Sequence, residues 1–294
     1  MLIFPKTQNQ NQPKHESQLN GIVQRFLRNK TAVVGLIIII IFVFFALFPN
    51  FFAGADYNKQ NYSQRFQPPS TLHLMGTDDL GRSIWGRIVW GTRTSLSIGL
   101  SAIAIAGATG VLIGLISGYY GGTVDQILMR LMDILMAVPN LLLGISVVAA
   151  MGSSPSNLTI AIGLGSIAPF ARMTRSTVMT VKGREFIEAA ISNGASTGRI
   201  LFKYILPNSM APIIIQVSMG IADAILNISG LSFIGLGVPA PTPEWGSMLA
   251  LGRGYVRDYW WVITFPGIAI MMTVFAFNML GDGLRDALDP RLKS

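Results

Sequence analysis

The chain has 294 residues, 22 Lys+Arg against 14 Asp+Glu, 51% hydrophobic residues and no cysteine. Only 12% of its residues are charged, about half the ~25% of soluble domains, so much of its surface faces something other than water. The lack of cysteine excludes disulfides, thiolate nucleophiles, iron–sulfur clusters and cysteine-held zinc. A net charge of +8 would suit nucleic acid only if the basic residues clustered on one soluble face. They fall instead in short runs between long apolar stretches, so no nucleic acid partner is expected.

Residues 1–30 read as a cytoplasmic tail. The first 18 residues, rich in Gln, Asn and Lys, suggest disorder. Leu19, Ile22, Val23, Phe26 and Leu27 then fall at helical spacing beside Arg25, Arg28 and Lys30, which predicts an amphipathic helix on the inner membrane surface. Ala53-Gly-Ala55 mimics a cleavage site, but the polar lead is too long for a signal peptide, so no cleavage is expected.

A membrane-spanning helix needs about 20 mostly apolar residues. Charge-poor intervals predict six of them, at about 31–48, 94–118, 127–150, 157–173, 208–233 and 260–281. The first carries an unbroken GLIIIIIFVFFALF core, and the second closes on Gly118-Tyr-Tyr-Gly-Gly122. The turn Met151-Gly-Ser-Ser-Pro-Ser-Asn157 divides the third from the fourth. The expected fold is therefore all-α and polytopic, with residues 31–283 as a six-helix membrane domain. With both termini on one side, 15 of the 22 basic residues share that side. The positive-inside rule then places the termini, the 284–294 tail and the 182–207 loop in the cytoplasm.

No phosphate-binding GxxxxGK[ST] loop occurs, and His15 and His73, the two histidines, lie outside the spans. No metal site, bound cofactor or enzymatic chemistry is expected of this chain. A stand-alone secondary transporter would carry inverted repeats and several intramembrane ionisable groups; here Asp223 is the one acid in mid-span, with Asn227 a turn later. An unpaired carboxylate in lipid costs at least ~2.5–3.5 kcal/mol. Asp223 should thus face a water-filled path or hydrogen-bond to another helix. Arg130 and Asp133 are spaced to pair with each other. Trp245, Trp260 and Trp261 suit interfacial anchors, or the Pro-rich segment around Glu244 and Trp245 folds back as an outer gate. The methionines and the small residues of Gly99–Gly118 suit helix packing.

The largest cytoplasmic loop reads as two short helices. Arg184–Ser192 is the first, with Gly194 suited to a left-handed turn; the second begins at Ser196 or Thr197 and ends before Pro207. It serves either as an amphipathic connector or as a low-profile docking surface around Glu188-Ala189-Ala190.

Glu188-Ala-Ala190, Gly194, Leu206 and Pro207 stand at the spacing of the EAA loop in the membrane subunits of ABC importers, with Tyr204 at a position usually held by Ile. From about residue 20 onward the chain resembles the dipeptide, oligopeptide and nickel branch of these permeases. The supporting segments are Leu74–Arg82, Met129–Pro139, Leu231–Gly237, Pro241–Gly246 and Gly281–Pro290. Trp260–Gly267 and the C-terminal stretch look most like the second permease of dipeptide importers, while Ser83 stands where the family often has Asp. The resemblance implies the type I ABC importer fold and a homologous second permease. It also implies two cytoplasmic ATPases that carry ATP and Mg, and an external binding protein that delivers substrate. It assigns ATPase coupling to Glu188, Ala189, Ala190, Gly194 and Pro207, and dipeptides as substrate; nickel, oligopeptides or haem are carried on similar scaffolds.

Overall fold

A computed structural model describes residues 18–288. The disorder expected over residues 1–17 and the end of the tail at 289–294 lie outside the described residues. Among those described there are helices and no strands, apart from one isolated bridge between Thr77 and Ser83.

Helix α1 (Gln18–Arg28) is the expected amphipathic segment. It meets the C-terminal helix, where Asn29 Nδ2 donates to Asp286 Oδ2 at 3.1 Å. Asn29 Oδ1 also caps α2 (Lys30–Leu47) by accepting from Ala32 N. Along α2 only Ala32, Gly35 and Phe42 are buried, while Ile37, Ile40, Ile41 and Phe44 are exposed. An all-apolar helix at the edge of the bundle presents such a face to lipid. Helix α3 (Pro49–Ala53) leads into the outer segment.

Helix α4 (Ile84–Tyr120) has 37 residues, about 55 Å at ~1.5 Å per residue and longer than a ~30 Å hydrocarbon core. It begins well before the predicted residue 94. Arg93, which closed the charge-free interval, continues the helix because its Nε and Nη2 donate to Ala46 O at 2.7 Å and Leu47 O at 3.1 Å. Those are carbonyls at the C-terminus of α2 that have no partner within that helix.

The helix expected over 127–150 is two, α5 (Gly122–Ala137) and α6 (Asn140–Met151), bent by 86°. Pro139 causes the break: Val138 before it is extended at φ −95°, ψ 124°.

Helix α7 (Pro155–Lys182) runs 28 residues and overshoots the predicted end at 173. Its basic residues are answered by α5 and α4. Arg172 pairs with Asp133, which therefore does not take the expected Arg130. Arg175 Nε lies 2.5 Å from Asp125 Oδ1, and Lys182 Nζ donates to Tyr119 O at 2.6 Å. Asp125 also accepts from Ser117 Oγ. Asp125→Ala would leave Arg175 and Ser117 without that partner. It is expected to destabilise the protein by about 1–2 kcal/mol, discounted for the partial exposure of Arg175. Thermal unfolding reads this as a lowered midpoint, and Arg175→Ala added to it should cost less than Arg175→Ala alone.

Helices α4 and α7 touch backbone to backbone. A Cβ on Gly114 would lie 2.5 Å from Ala171 O, and Gly110 and Gly118 meet Ile167 O and Arg175 O nearly as closely. Small residues on one face allow this approach in lipid.

The segment after α7 holds α8 (Glu185–Ser192), α9 (Thr197–Arg199), a π-turn at Ile200–Ile205 and α10 (Leu206–Asn208). The helix expected to stop before Pro207 passes through it, because the widened π-turn absorbs the missing proline N–H. Helix α11 (Met210–Leu231) continues in a second π-turn to Leu236, α12 (Trp245–Gly252) is short, and α13 (Trp261–Leu288) completes the bundle. Among the described residues four helices are long and apolar enough to cross a membrane, or five if the bent α5–α6 pair counts as one span. Helix α7 has the length but is not in that set.

Candidate functional site

The C-terminal ends of α4 and α7 carry a small core of their own, separate from the main one. Leu115, Val178 and Val181 pack with Ile187 of α8 and with Ile200, Leu201 and Ile205 of the π-turn. The alternation of apolar and polar residues along 185–205 turns these side chains inward and fixes the loop to the bundle. Glu188, Ala189, Gly194 and Pro207 are exposed on its outer surface, whereas Ala190 is buried. Phe186, Ile191 and Phe202 are exposed beside them and form an apolar rim. Their helical spacing relative to buried Ile187 and Leu201 was the available signal.

Gly194 ends α8 in a Schellman turn. Its φ is +75°, its N–H reaches Ile191 O at 2.9 Å, and Ala195 N reaches Ala190 O at 3.0 Å. No atom lies within 4 Å of where a Gly194 Cβ would stand. Backbone conformation, and not lack of space, makes glycine suit the position.

Asp223 and Asn227 share one face of α11. Asp223 is exposed and its carboxylate accepts no hydrogen bond among the described residues, while Asn227 Nδ2 donates to the Asp223 main-chain O at 2.8 Å. The face carrying Asp223 points away from this chain's own core.

Glu244 and Trp245 are each 0% exposed. Glu244 caps α12, accepting from Gly246 N and Ser247 N at 2.8 Å each. The Trp245 indole donates to Ile88 O at 3.1 Å, and Trp245 N donates to Ser95 Oγ at 3.3 Å. These bonds press α12 onto the N-terminal half of α4. Trp245 is therefore not an interfacial anchor. Trp261 is also buried and donates to Thr77 O, and Trp260 alone of the three is exposed.

The loop before α4 is held by Asp78. Its Oδ1 accepts from Leu80 N and Arg82 N, and its Oδ2 from Arg82 Nε at 2.7 Å. Arg87, 1% exposed, lies beyond it. Arg87 belongs to no motif, and its sign in the sequence is its place on the same helix face as Ile84, Ile88 and Gly91.

Apolar helices of membrane length, a broken span and a loop-helix module folded onto the helix ends define a multi-pass membrane protein. Residues 110–294 match the family described as "Binding-protein-dependent transport system inner membrane component", and residues 17–69 match the "N-terminal TM domain of oligopeptide transport permease C". The chain belongs to this family of binding-protein-dependent permeases of the cytoplasmic membrane. It is 45% identical over 290 residues to the dipeptide transport system permease protein of Alkalihalophilus pseudofirmus, covering 97% of this chain and 95% of that one. It is 43% identical over 286 residues to the di/tripeptide transport system permease protein of Pseudomonas aeruginosa, covering 95% and 94%. The fold is similar to that of a chain of the MetNI methionine ABC transporter in an inward-facing conformation, with TM-score 0.56, 16% identity, and coverage of 69% of this chain and 96% of that one.

Proposed function

We propose that this chain is one of two permease subunits of an ATP-driven importer that carries dipeptides across the cytoplasmic membrane by alternating access. The observation that carries this reading is the 45% identity, over nearly the whole of both chains, to a dipeptide transport permease. A homologous permease completes the pathway, a binding protein delivers the peptide from outside, and two cytoplasmic ATPases supply the ATP and Mg chemistry that this chain lacks. Six spans with both termini in the cytoplasm fit the distribution of basic residues. Cells lacking this gene should lose uptake of labelled dipeptide and regain it from a plasmid copy. Unchanged dipeptide uptake with lost nickel uptake would overturn the substrate assignment.

Glu188, Ala189, Gly194 and Pro207 form the surface that receives the ATPase, and Ala190 is buried beneath it. Rigid attachment of this loop through Ile187 and Ala190 lets a push at the loop move the inner ends of α4 and α7 together. The chain contains no cysteine, so Ala189→Cys provides a single reactive thiol. It should cross-link to an ATPase subunit carrying a cysteine at its docking groove, and cross-linking only to lipid-facing probes would contradict the placement.

Asp223 and Asn227 line the path, where the carboxylate meets a peptide's amino terminus; Glu244 and Trp245 hold the outer gate segment in place. Asp223→Asn is expected to raise the KM for dipeptide about tenfold, ~1.4 kcal/mol of lost charge-assisted hydrogen bonding, at unchanged complex yield. Unchanged KM with reduced yield would instead make Asp223 a contact to the second permease.

A further inference from the structure

The start of α4, the turn between α6 and α7, and the segment from Ser232 to Leu251 line an open-sided cavity of about 230 Å³. Its polar side chains are Arg87, Ser153, Ser232, Thr242 and Ser247, and no carboxylate lines it. Ser247 Oγ is committed to Val238 O at 3.0 Å and Glu244 Oε2 at 3.1 Å. Ser232 Oγ and Arg87 Nε are both buried with no hydrogen-bond partner among the described residues.

The state of Arg87 is the informative part. A guanidinium has five N–H donors, yet the one hydrogen bond here runs from Nη1 to Pro241 O at a long 3.5 Å. The carboxylate beside it, Asp78 Oδ2, forms an ion pair with Arg87 at 3.8 Å from Nε but lies beyond hydrogen-bonding reach, and its hydrogen bond goes to Arg82. A buried cation with most of its donors unanswered is costly unless an acceptor occupies the adjoining space. A planar guanidinium with a free hydroxyl across a small cavity matches a carboxylate, which accepts two parallel N–H bonds and one O–H bond. At about 230 Å³ the space is below the ~300 Å³ of sites for drug-sized ligands, so it admits one end of a small molecule.

We propose that this cavity is a carboxylate-binding subsite at the outer end of α4, in which Arg87 and Ser232 hold the C-terminal carboxylate of an arriving peptide. The proposal rests on the dipeptide reading and on the orientation given above. Arg87 contributes the charge and the bidentate fork, and Ser232 donates a third hydrogen bond. The cap at Glu244 and the Trp245 anchor keep the wall formed by residues 237–247 against α4.

The test uses the whole complex in lipid nanodiscs without binding protein. Saturable binding of labelled alanyl-alanine is compared with that of its C-terminal amide. The free acid should bind at least tenfold more tightly than the amide. Arg87→Gln should remove that preference, Arg87→Lys should retain part of it, and Ser232→Ala, which removes one hydroxyl and preserves the fold, should weaken the free acid about fivefold. Absence of saturable binding, equal binding of acid and amide, or an unchanged preference in Ser232→Ala and the arginine variants would overturn the proposal. So would a result in which Arg87→Gln weakens only docking of the binding protein, because the carboxylate would then belong to that protein. Dipeptide uptake by the same complex with its binding protein separates the two claims: normal uptake without acid preference sinks only the subsite, and absent uptake sinks the dipeptide reading itself.

Discussion

Gly194→Arg is expected to abolish dipeptide uptake while the complex stays assembled and its ATPases keep turning over. At φ +75° an L side chain is strained, by about 1–2 kcal/mol for a left-handed residue. That is too little to unseat α8, which is held through Ile187 in the small cluster with Val178, Val181 and Ile205. Nothing lies within 4 Å of the new Cβ, so the arginine side chain fits this chain and projects outward, into the space where the ATPase would sit. The harm falls at the partner surface. The measurement is the ratio of peptide transported to ATP hydrolysed, which should fall to background with a normal size-exclusion profile. Gly194→Asn, which tolerates the left-handed conformation and is short, should retain most transport. Normal uptake by Gly194→Arg would remove the coupling assignment.

Gly114→Leu is expected to eliminate the folded subunit from the membrane. The added Cβ alone would meet Ala171 O at 2.5 Å, Thr174 Cβ at 2.6 Å and Arg175 N at 2.9 Å. Two of these are backbone atoms of α7, which cannot step aside as a flexible side chain can. Overpacking in cores that can adjust costs ~1–3 kcal/mol. Here the helices must separate, and the neighbouring contacts at Gly110 and Gly118 and the Asp125–Arg175 pair separate with them. Membrane abundance and the yield of assembled complex should both collapse. Gly21→Ala serves as the control: no atom lies within 4 Å of its new Cβ, so abundance should be unchanged.

The helices were readable wherever apolar runs settle them, as in α2, and wherever local turn chemistry does, as at Gly194. Boundaries were misjudged where a charge that looked like a terminator is satisfied by a residue far away in sequence. Arg93 reaches the end of α2, and Arg172 and Arg175 reach α5. The break at Pro139 was visible in the sequence, but an unbroken apolar count across it concealed the bend. Glu244 and Trp245 could be singled out, but not their burial, because Ser95 and Ile88, which hold them, lie about 150 positions away. Arg87 was missed for the same reason: one arginine among apolar residues reads as a helix end until its surroundings are known.

Reconstituted vesicles decide the central claim. The chain, its second permease, the ATPases and the binding protein are placed in one membrane, and labelled dipeptide accumulation is followed with ATP on the ATPase side. Accumulation against a gradient that requires both ATP and binding protein is the predicted result. Dipeptide movement that needs neither, or ATP-driven accumulation of nickel or haem with none of dipeptide, would contradict it.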